Sequence, residues 1–206
     1  MSDQASEAVR RLLDSDRVTP ITRQVLTDRL AQLPVSTPRF FDQPTFQRLI
    51  LICDHLIPQL GQPARVDLAG AIDTRLADQQ SDGWRYATLP ADAETYRRGL
   101  HGIDETARSR FDRAFEDLSS AQQTQILQAV QHGEAEGATW QTIDQRRFFE
   151  ELLAETVECY YSHPLVQQAI GYVGMADAHG WQAIGLNERD PHEPPTPPLS
   201  IETAHA

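Results

Sequence analysis

The chain has 206 residues, 40% of them apolar and 23% charged, which is enough apolar material for one complete hydrophobic core and argues against wholesale disorder. Its net charge of −12 repels phosphate backbones and anionic lipids, so nucleic acids and bare membrane surfaces are poor partners. All 18 basic residues are arginine, which excludes Schiff-base chemistry on lysine and a phosphate-binding lysine of the Walker type.

Residues 1–38 are predicted to form an N-terminal helical arm. Two short helices are expected to meet at Thr19 and Pro20, because threonine is a good N-cap and proline suits the first helical turn. The stretch at 34–38 begins and ends with proline, which predicts an extended linker after the second helix.

Residues 39–186 are predicted to form a compact, all-α main body. Asp42 is a good N-cap for its first helix, and Ser119 with Gln122 has the pattern of a capping box. No stretch alternates between apolar and polar residues as a strand would. Apolar residues recur at helical spacing in five segments, at residues 42–57, roughly 65–79, 91–117, 120–133 and about 142–162.

The pattern changes after Pro164, which is expected to end the last long helix. Glycines punctuate the next segment, so an ordered, extended loop carrying Tyr172, Met175 and Trp181 is predicted there rather than a helix. Residues 187–206 are polar and rich in proline, which predicts an extended tail.

The two cysteines, Cys53 and Cys159, have no metal-ligand spacing and are expected to be reduced, partly buried thiols. No apolar run approaches the roughly 20 residues that span a bilayer, so direct membrane insertion is not expected. The stretch Arg10-Arg11-Leu12-Leu13 hints at a twin-arginine signal, but Asp14, Asp16 and Arg17 follow where its apolar part should begin. As written, the chain is expected to be cytoplasmic, and periplasmic only if a partner carries it or a signal was removed.

The acidic stretch from Glu150 to His163 is the strongest candidate for chemistry. Glu151, Glu155 and Glu158 share one helical face, as the carboxylates of di-iron bundles do, but those bundles take a Glu-x-x-His pair from each of two helices. The pattern therefore favours a solvated acidic face. There is also no Gly-x-Ser-x-Gly elbow and no complete dinucleotide-binding glycine motif. The sequence predicts no catalytic, cofactor-binding or metal-binding residue.

Seven short segments, in this order and spacing, resemble the gluconate 2-dehydrogenase subunit 3 family over about residues 42–186. They are LICDHLIP at 51–58, AGAID at 69–73, YRRGL at 96–100, FEDLS at 115–119, FFEELL at 148–153, ECYYSHP at 158–164 and GWQAIG at 180–185. Many relatives carry a twin-arginine signal, which is absent here, and the glycine-rich stretch before the last segment is shortened.

The resemblance implies a non-catalytic small subunit that binds and stabilises, in the manner of a chaperone, a larger oxidoreductase. That partner would be a flavoprotein of the glucose–methanol–choline type, which would hold the FAD and oxidise a sugar or polyol. Two alternatives stay open: a free-standing helical enzyme or metal-binding protein that uses the 150–163 region, and a stand-alone binding module.

Aromatic density and the resemblance coincide in two places, which predicts the partner interface. These places are the end of the last long helix and the loop through Trp181, where interfaces favour aromatic anchors. The other reading is that the loop residues pack on the chain's own helices. Tyr160 lies on the apolar stripe and is expected in the core. The predicted interface residues are Cys159, Tyr161, His163, Tyr172, Met175 and Trp181.

Overall fold

The computed structural model describes residues 2–60, 65–81, 83–172, 174–180, 182–191 and 193, with the backbone alone for residues 2–6. Within these ranges the chain forms eight α-helices, two short 3-10 helices and no strand, which confirms the predicted all-α class. None of the helices in the described part is both long and apolar enough to cross a bilayer.

The contacts divide the chain into two compact units. The terminal unit contains the described residues up to Gln32 and those from His163 onward, and the central unit is Leu33–Ser162. The predicted segments 1–38, 39–186 and 187–206 are a different division, and they stay a prediction.

The terminal unit contains α1 (Ser2–Leu13), α2 (Pro20–Ala31) and α8 (Pro164–Ala169). Thr19 caps α2 and Pro20 occupies its first position, as the sequence predicts. Helix α8 is a correction: Pro164 does not only end the preceding helix but begins a new one, because its fixed φ and missing N–H suit a first turn. The rest of the described segment after α8 has no regular structure, as predicted.

The two ends of the chain are joined within the terminal unit by Asp177. Its carboxylate accepts hydrogen bonds from the Thr19 N–H and hydroxyl, both at 2.8 Å, and from the Thr22 hydroxyl at 2.6 Å. The Ala178 N–H also donates to the Arg17 carbonyl at 2.8 Å. A negative charge at the N-terminus of α2 is favourable, so these bonds stabilise both segments. The apolar core of this unit includes Val9, Leu13, Val18, Leu26 and Met175.

Five α-helices form the central unit. They are α3 (Gln43–Leu56), α4 (Leu68–Ala77), α5 (Asp92–Phe111), α6 (Ser120–His132) and α7 (Gln145–Tyr161), with 3-10 helices at Phe115–Asp117 and Thr139–Gln141. The predicted capping box is present: the Ser119 hydroxyl accepts from the Gln122 N–H, and the Gln122 side chain accepts from the Ser119 N–H.

Helix α5 is shorter than predicted and is buried between its neighbours. The predicted segment 91–117 breaks after Phe111 because Asp112 adopts a left-handed conformation with φ of 53°, and Phe115–Asp117 continue as a 3-10 helix. Tyr96, Leu100, Ile103 and Ala107 of α5 have no exposed surface.

Two glycines allow this close packing. A Cβ atom at Gly99 would lie 2.1 Å from the Phe148 ring of α7, and one at Gly102 would lie 2.6 Å from the Trp140 ring. Any larger residue at either position would therefore push these rings away from α5.

A buried aspartate holds the segment before α3 against α4. Asp73 has no exposed surface, and its carboxylate accepts the backbone N–H groups of Arg39, Phe40 and Phe41 at 2.7–3.0 Å. By accepting these three hydrogen bonds, the Asp73 carboxylate satisfies backbone N–H groups that have no helical partner in this irregular stretch.

Candidate functional site

The last turn of α7 carries two of the predicted interface residues. Tyr161 is 46% exposed and packs edge-on against Tyr160, with ring centroids 5.2 Å apart. Tyr160 is buried, as expected from its place on the apolar stripe. Cys159 is half-buried on the same turn. An aromatic ring that is steadied by a core neighbour and still reaches solvent has the character of an interface anchor.

The two cysteines lie on α7 and α3 and are both free thiols. Burial raises the pKa of Cys53 far above its ordinary value, a hydrogen bond with Thr156 opposes that shift, and Cys159 adds to it. The Cys53 thiol therefore stays protonated and behaves as a small apolar side chain.

Three of the other four predicted interface residues lie in the described part of the terminal unit, in different environments. His163 is the N-cap of α8, where its Nδ1 accepts the Leu165 N–H at 3.4 Å. Tyr172 is 52% exposed. Met175 is 3% exposed and belongs to the core of the unit, which agrees with the reading that it packs on its own helices. Trp181 lies outside the described residues.

Exposed large apolar side chains are unevenly distributed between the units. Among the described residues, ten such side chains are 45% exposed or more. Six lie in the terminal unit, although the central unit is about twice as long. The six are Ile21, Val25, Ile170, Tyr172, Ile184 and Leu186; the four in the central unit are Leu33, Leu60, Trp84 and Tyr161. The terminal unit thus offers apolar surface that a single chain leaves uncovered.

Within the acidic stretch of α7, Glu155 corrects the prediction of a solvated acidic face. Its carboxylate is 11% exposed and binds Arg75 of α4 in a bidentate manner, at 2.5 Å and 2.8 Å. The Tyr96 hydroxyl of α5 donates to the same carboxylate. Arg75 also binds Asp92 of α5 at 2.7 Å and the Gln80 carbonyl at 2.9 Å. This cluster of Arg75, Asp92, Tyr96 and Glu155, which we call the Arg75 cluster, joins three helices.

The electrostatics of the Arg75 cluster keep Arg75 charged and Tyr96 neutral. Burial alone would lower the pKa of Arg75, but hydrogen bonds and the charges of its acidic partners raise it overall. Burial and the negative charge of Glu155 hold the pKa of Tyr96 well above its usual range, so the phenol remains a neutral donor. The carboxylate of Glu155 thus accepts three hydrogen bonds from two partners, and the arrangement is that of a structural ion pair.

A second buried ion cluster joins α3, α5 and the 3-10 helix that follows α5. Arg48 lies 2.7 Å from Glu116 and 3.4 Å from Asp104, and it donates to the Leu100 carbonyl at 3.2 Å. Asp104 also accepts the Phe115 N–H at 3.0 Å, which fixes the chain after α5 ends. Neither cluster is recognised from the sequence, because each arginine is 17 to 80 positions from the carboxylates that it pairs with, and a single arginine inside each apolar helix is the one signal.

Metal-ligating side chains do not cluster in the part of the chain that the structure describes. Within it, no three His, Cys, Asp or Glu side chains are close enough together to hold a metal ion. His163 caps α8, while Glu150 and Glu155 of the central unit pair with Arg147 and Arg75 respectively.

Comparison with known proteins gives one finding. A model of the family described as gluconate 2-dehydrogenase subunit 3 matches residues 44–185, from the first turn of α3 to the irregular segment after α8, which is more than half of the chain. This confirms the resemblance seen in the seven short segments. No curated protein and no solved structure matches the chain.

Replacing Glu155 with glutamine should destabilise the central unit by about 2–4 kcal/mol, because it leaves the half-buried Arg75 without its bidentate partner. The matched control is Glu158→Gln, an exposed position on the same helix, which should change stability by less than about 0.5 kcal/mol. Urea unfolding followed by circular dichroism measures both. Equal stability of the two variants would contradict a structural role for Glu155.

The terminal unit should lose stability as the pH falls below about 6.5, because burial and the nearby charge of Arg29 lower the pKa of His163 in the folded state. A lowered folded pKa means that the unfolded chain takes up the proton first, so stability is complete above the unfolded pKa and declines towards the folded one. Asparagine can also cap a helix, so His163→Asn should reduce the loss of melting temperature between about pH 7.5 and about pH 5.

The control for this pH prediction is His132→Asn, which makes the same replacement at an exposed histidine of the central unit and shows how much of the change any histidine-to-asparagine replacement causes. An identical pH dependence in the His163→Asn variant and the wild type would contradict the assignment.

Proposed function

Because the chain belongs to the gluconate 2-dehydrogenase subunit 3 family, we propose that it is a non-catalytic accessory subunit of a flavin-dependent sugar or polyol dehydrogenase. Family membership is the observation that carries this proposal. In it, the chain binds a larger catalytic subunit, stabilises it in the manner of a chaperone, and leaves the hydride chemistry to it. The partner is a flavoprotein of the glucose–methanol–choline type, and the FAD belongs to that partner.

The uneven distribution of exposed apolar side chains supports a partner-binding role. Large apolar side chains that stay exposed are available for contact with another protein, and six of the ten in the described residues lie in the terminal unit. Tyr161 and Tyr172 are the anchors that we carry forward from the sequence, because both are aromatic and about half exposed. Met175 is not carried forward, since the core of the terminal unit already holds it.

The way that the chain holds its own charged groups also supports an accessory role. Glu155 belongs to the acidic stretch that was the strongest candidate for chemistry, and Arg75 and Tyr96 bind its carboxylate inside the central unit. A catalytic carboxylate needs access to a substrate and a proton that it can gain or lose, whereas this one is occupied by a permanent cation and a neutral phenol.

The proposal predicts that the large subunit depends on this chain. A partner that binds only the folded state stabilises it by mass action, so omitting this chain from co-expression should lower the yield, FAD content and melting temperature of the flavoprotein encoded beside it. Flavin absorbance at equal protein concentration and thermal melting measure the effect. A flavoprotein that has the same yield, FAD content and melting temperature without this chain would contradict the stabilising role.

The interface prediction is tested with Tyr161→Ala and Tyr172→Ala. Truncating an aromatic anchor at an interface costs about 2–4 kcal/mol of binding, so each variant should co-purify with less of the flavoprotein. Both side chains are about half exposed, so the melting temperature of the free chain should change little. His132→Ala, at an exposed position of α6, is the control. Undiminished co-purification of both tyrosine variants would place the interface elsewhere.

A further inference from the structure

An open cleft of about 230 Å³ lies in the central unit, between the end of α4 and the start of α5. Its apolar wall is formed by Leu76, Ala91 and Ala93. The remaining lining residues are polar: Gln79, Gln80, Ser81, Arg85 and Asp92. We call this feature the α4–α5 cleft. No segment of the sequence predicts it, because it depends on how the connection between the two helices is folded.

The Arg75 cluster holds the cleft open in the unbound chain. Arg75 donates to the Asp92 carboxylate at 2.7 Å and to the Gln80 carbonyl at 2.9 Å, and both residues line the cleft. Arg75 is itself fixed by Glu155 of α7. Gln80 and Asp92 are therefore already held in place before a partner binds, and that lowers the entropic cost of association.

An exposed tryptophan lies on the same connection, next to the lining residue Arg85. Trp84 is 57% exposed, and its ring packs edge-on against Tyr86 with centroids 4.7 Å apart. The Arg147 guanidinium lies 4.4 Å from the centre of the Tyr86 ring and pairs with Glu150 at 2.5 Å. These contacts hold the two aromatic rings at the surface. Tryptophan, tyrosine and arginine are also the residue types that contribute most to binding energy at protein interfaces.

The size of the cleft favours a side chain of another protein over a free small molecule. Pockets for drug-sized ligands have about 300–1,000 Å³ and enclose most of the ligand, whereas this cleft is smaller and open. The net charge of −12 disfavours a nucleic acid.

The charges of the lining residues indicate the chemistry of the occupant. Asp92 forms an ion pair with Arg75, so the negative charge of Asp92 is already compensated. Arg85 is exposed, is the single cationic residue among those that line the cleft, and makes no ion pair with the described residues. A fitting occupant therefore places an apolar side chain against Leu76, Ala91 and Ala93, and a carboxylate beside Arg85.

We propose that the α4–α5 cleft is a docking site for a segment of the large catalytic subunit that presents an apolar side chain next to an aspartate or glutamate. The inference rests on the proposed function, since it assigns a second contact region to the same partner. Arg147 and Tyr161 lie at opposite ends of α7, about 20 Å apart along the helix axis, so the cleft extends the interface well beyond the predicted anchor.

The test is a competition inside the cell. The flavoprotein encoded beside this chain is co-expressed with equal amounts of two differently tagged copies, one wild type and one variant, and captured through its own tag. The ratio of the two copies in the captured complex, divided by their ratio in the lysate, gives the relative affinity. This design does not require a flavoprotein that is stable alone.

Two variants and one control are compared. Ala93→Trp fills the cleft, and Arg85→Glu reverses its exposed charge; each should be captured about tenfold less than the wild type, as expected for loss of one interface contact. Arg113→Glu makes the same charge change at an exposed position outside the cleft and should be captured like the wild type. Melting of each purified variant checks folding, and Arg85→Glu keeps the test valid if Ala93→Trp proves unstable.

The outcomes separate the inference from the proposed function. If the flavoprotein captures no wild-type chain, the proposed function fails. If it captures the wild type and both folded cleft variants equally, the cleft is not a docking site, while the accessory role stands. If the purified wild-type chain is a dimer and both variants are monomers, the occupant is a second copy of the chain, which would also overturn the inference.

Discussion

The pairing of Arg75 with Glu155 and Asp92 is the interaction on which the central unit depends. One guanidinium group connects α4 to α5 and α7, and the Tyr96 hydroxyl donates a hydrogen bond to the same Glu155 carboxylate. Taking these charges out of water is costly, and the bidentate geometry and the extra hydrogen bonds offset that cost. The pairing also fixes the helix ends that border the α4–α5 cleft, so a structural ion pair shapes the surface above it.

Local features of the fold were predictable from the sequence because short-range chemistry decides them. Thr19, Asp42 and Ser119 each cap a helix at the expected position, since a cap needs only the residues of its own first turn. The all-α class follows from apolar spacing in the same way. The end of α5 was not predictable from local pattern. The left-handed turn at Asp112 is supported by a hydrogen bond from the Phe115 N–H, beyond the helix, to the Asp104 carboxylate, inside it.

Long-range pairings limited what could be predicted about the candidate site. The carboxylates of α7 looked like one solvated face, and the spacing could not reveal that Arg75, 80 positions earlier, binds Glu155. The same limit applies to Asp177, which joins the loop after α8 to the start of α2 and makes the two ends of the chain one unit. The exposed Tyr161 and the buried Tyr160 were separable in advance, because their neighbours on one helix decide their burial.

The physical picture is a central unit in which Arg75 and Arg48 pair with carboxylates of neighbouring helices, and a terminal unit that leaves apolar side chains exposed. That combination suits an accessory subunit of the proposed kind, since a rigid scaffold loses little entropy on binding and exposed aromatic groups supply the contact energy. The family match includes both the helices of the central unit and the irregular segment after α8.

Hydrogen–deuterium exchange of the free chain and of its complex with the flavoprotein tests this picture most directly. The account predicts that binding slows exchange at the backbone amides of residues 83–93 and 158–172, where the cleft and the exposed tyrosines lie. Exchange inside α5, at residues 96–107, should stay the same, because that helix is already buried and fixed in the free chain. Protection that appears inside α5 but in neither surface stretch would contradict the account, because the partner would then be completing the fold of the central unit rather than docking on it.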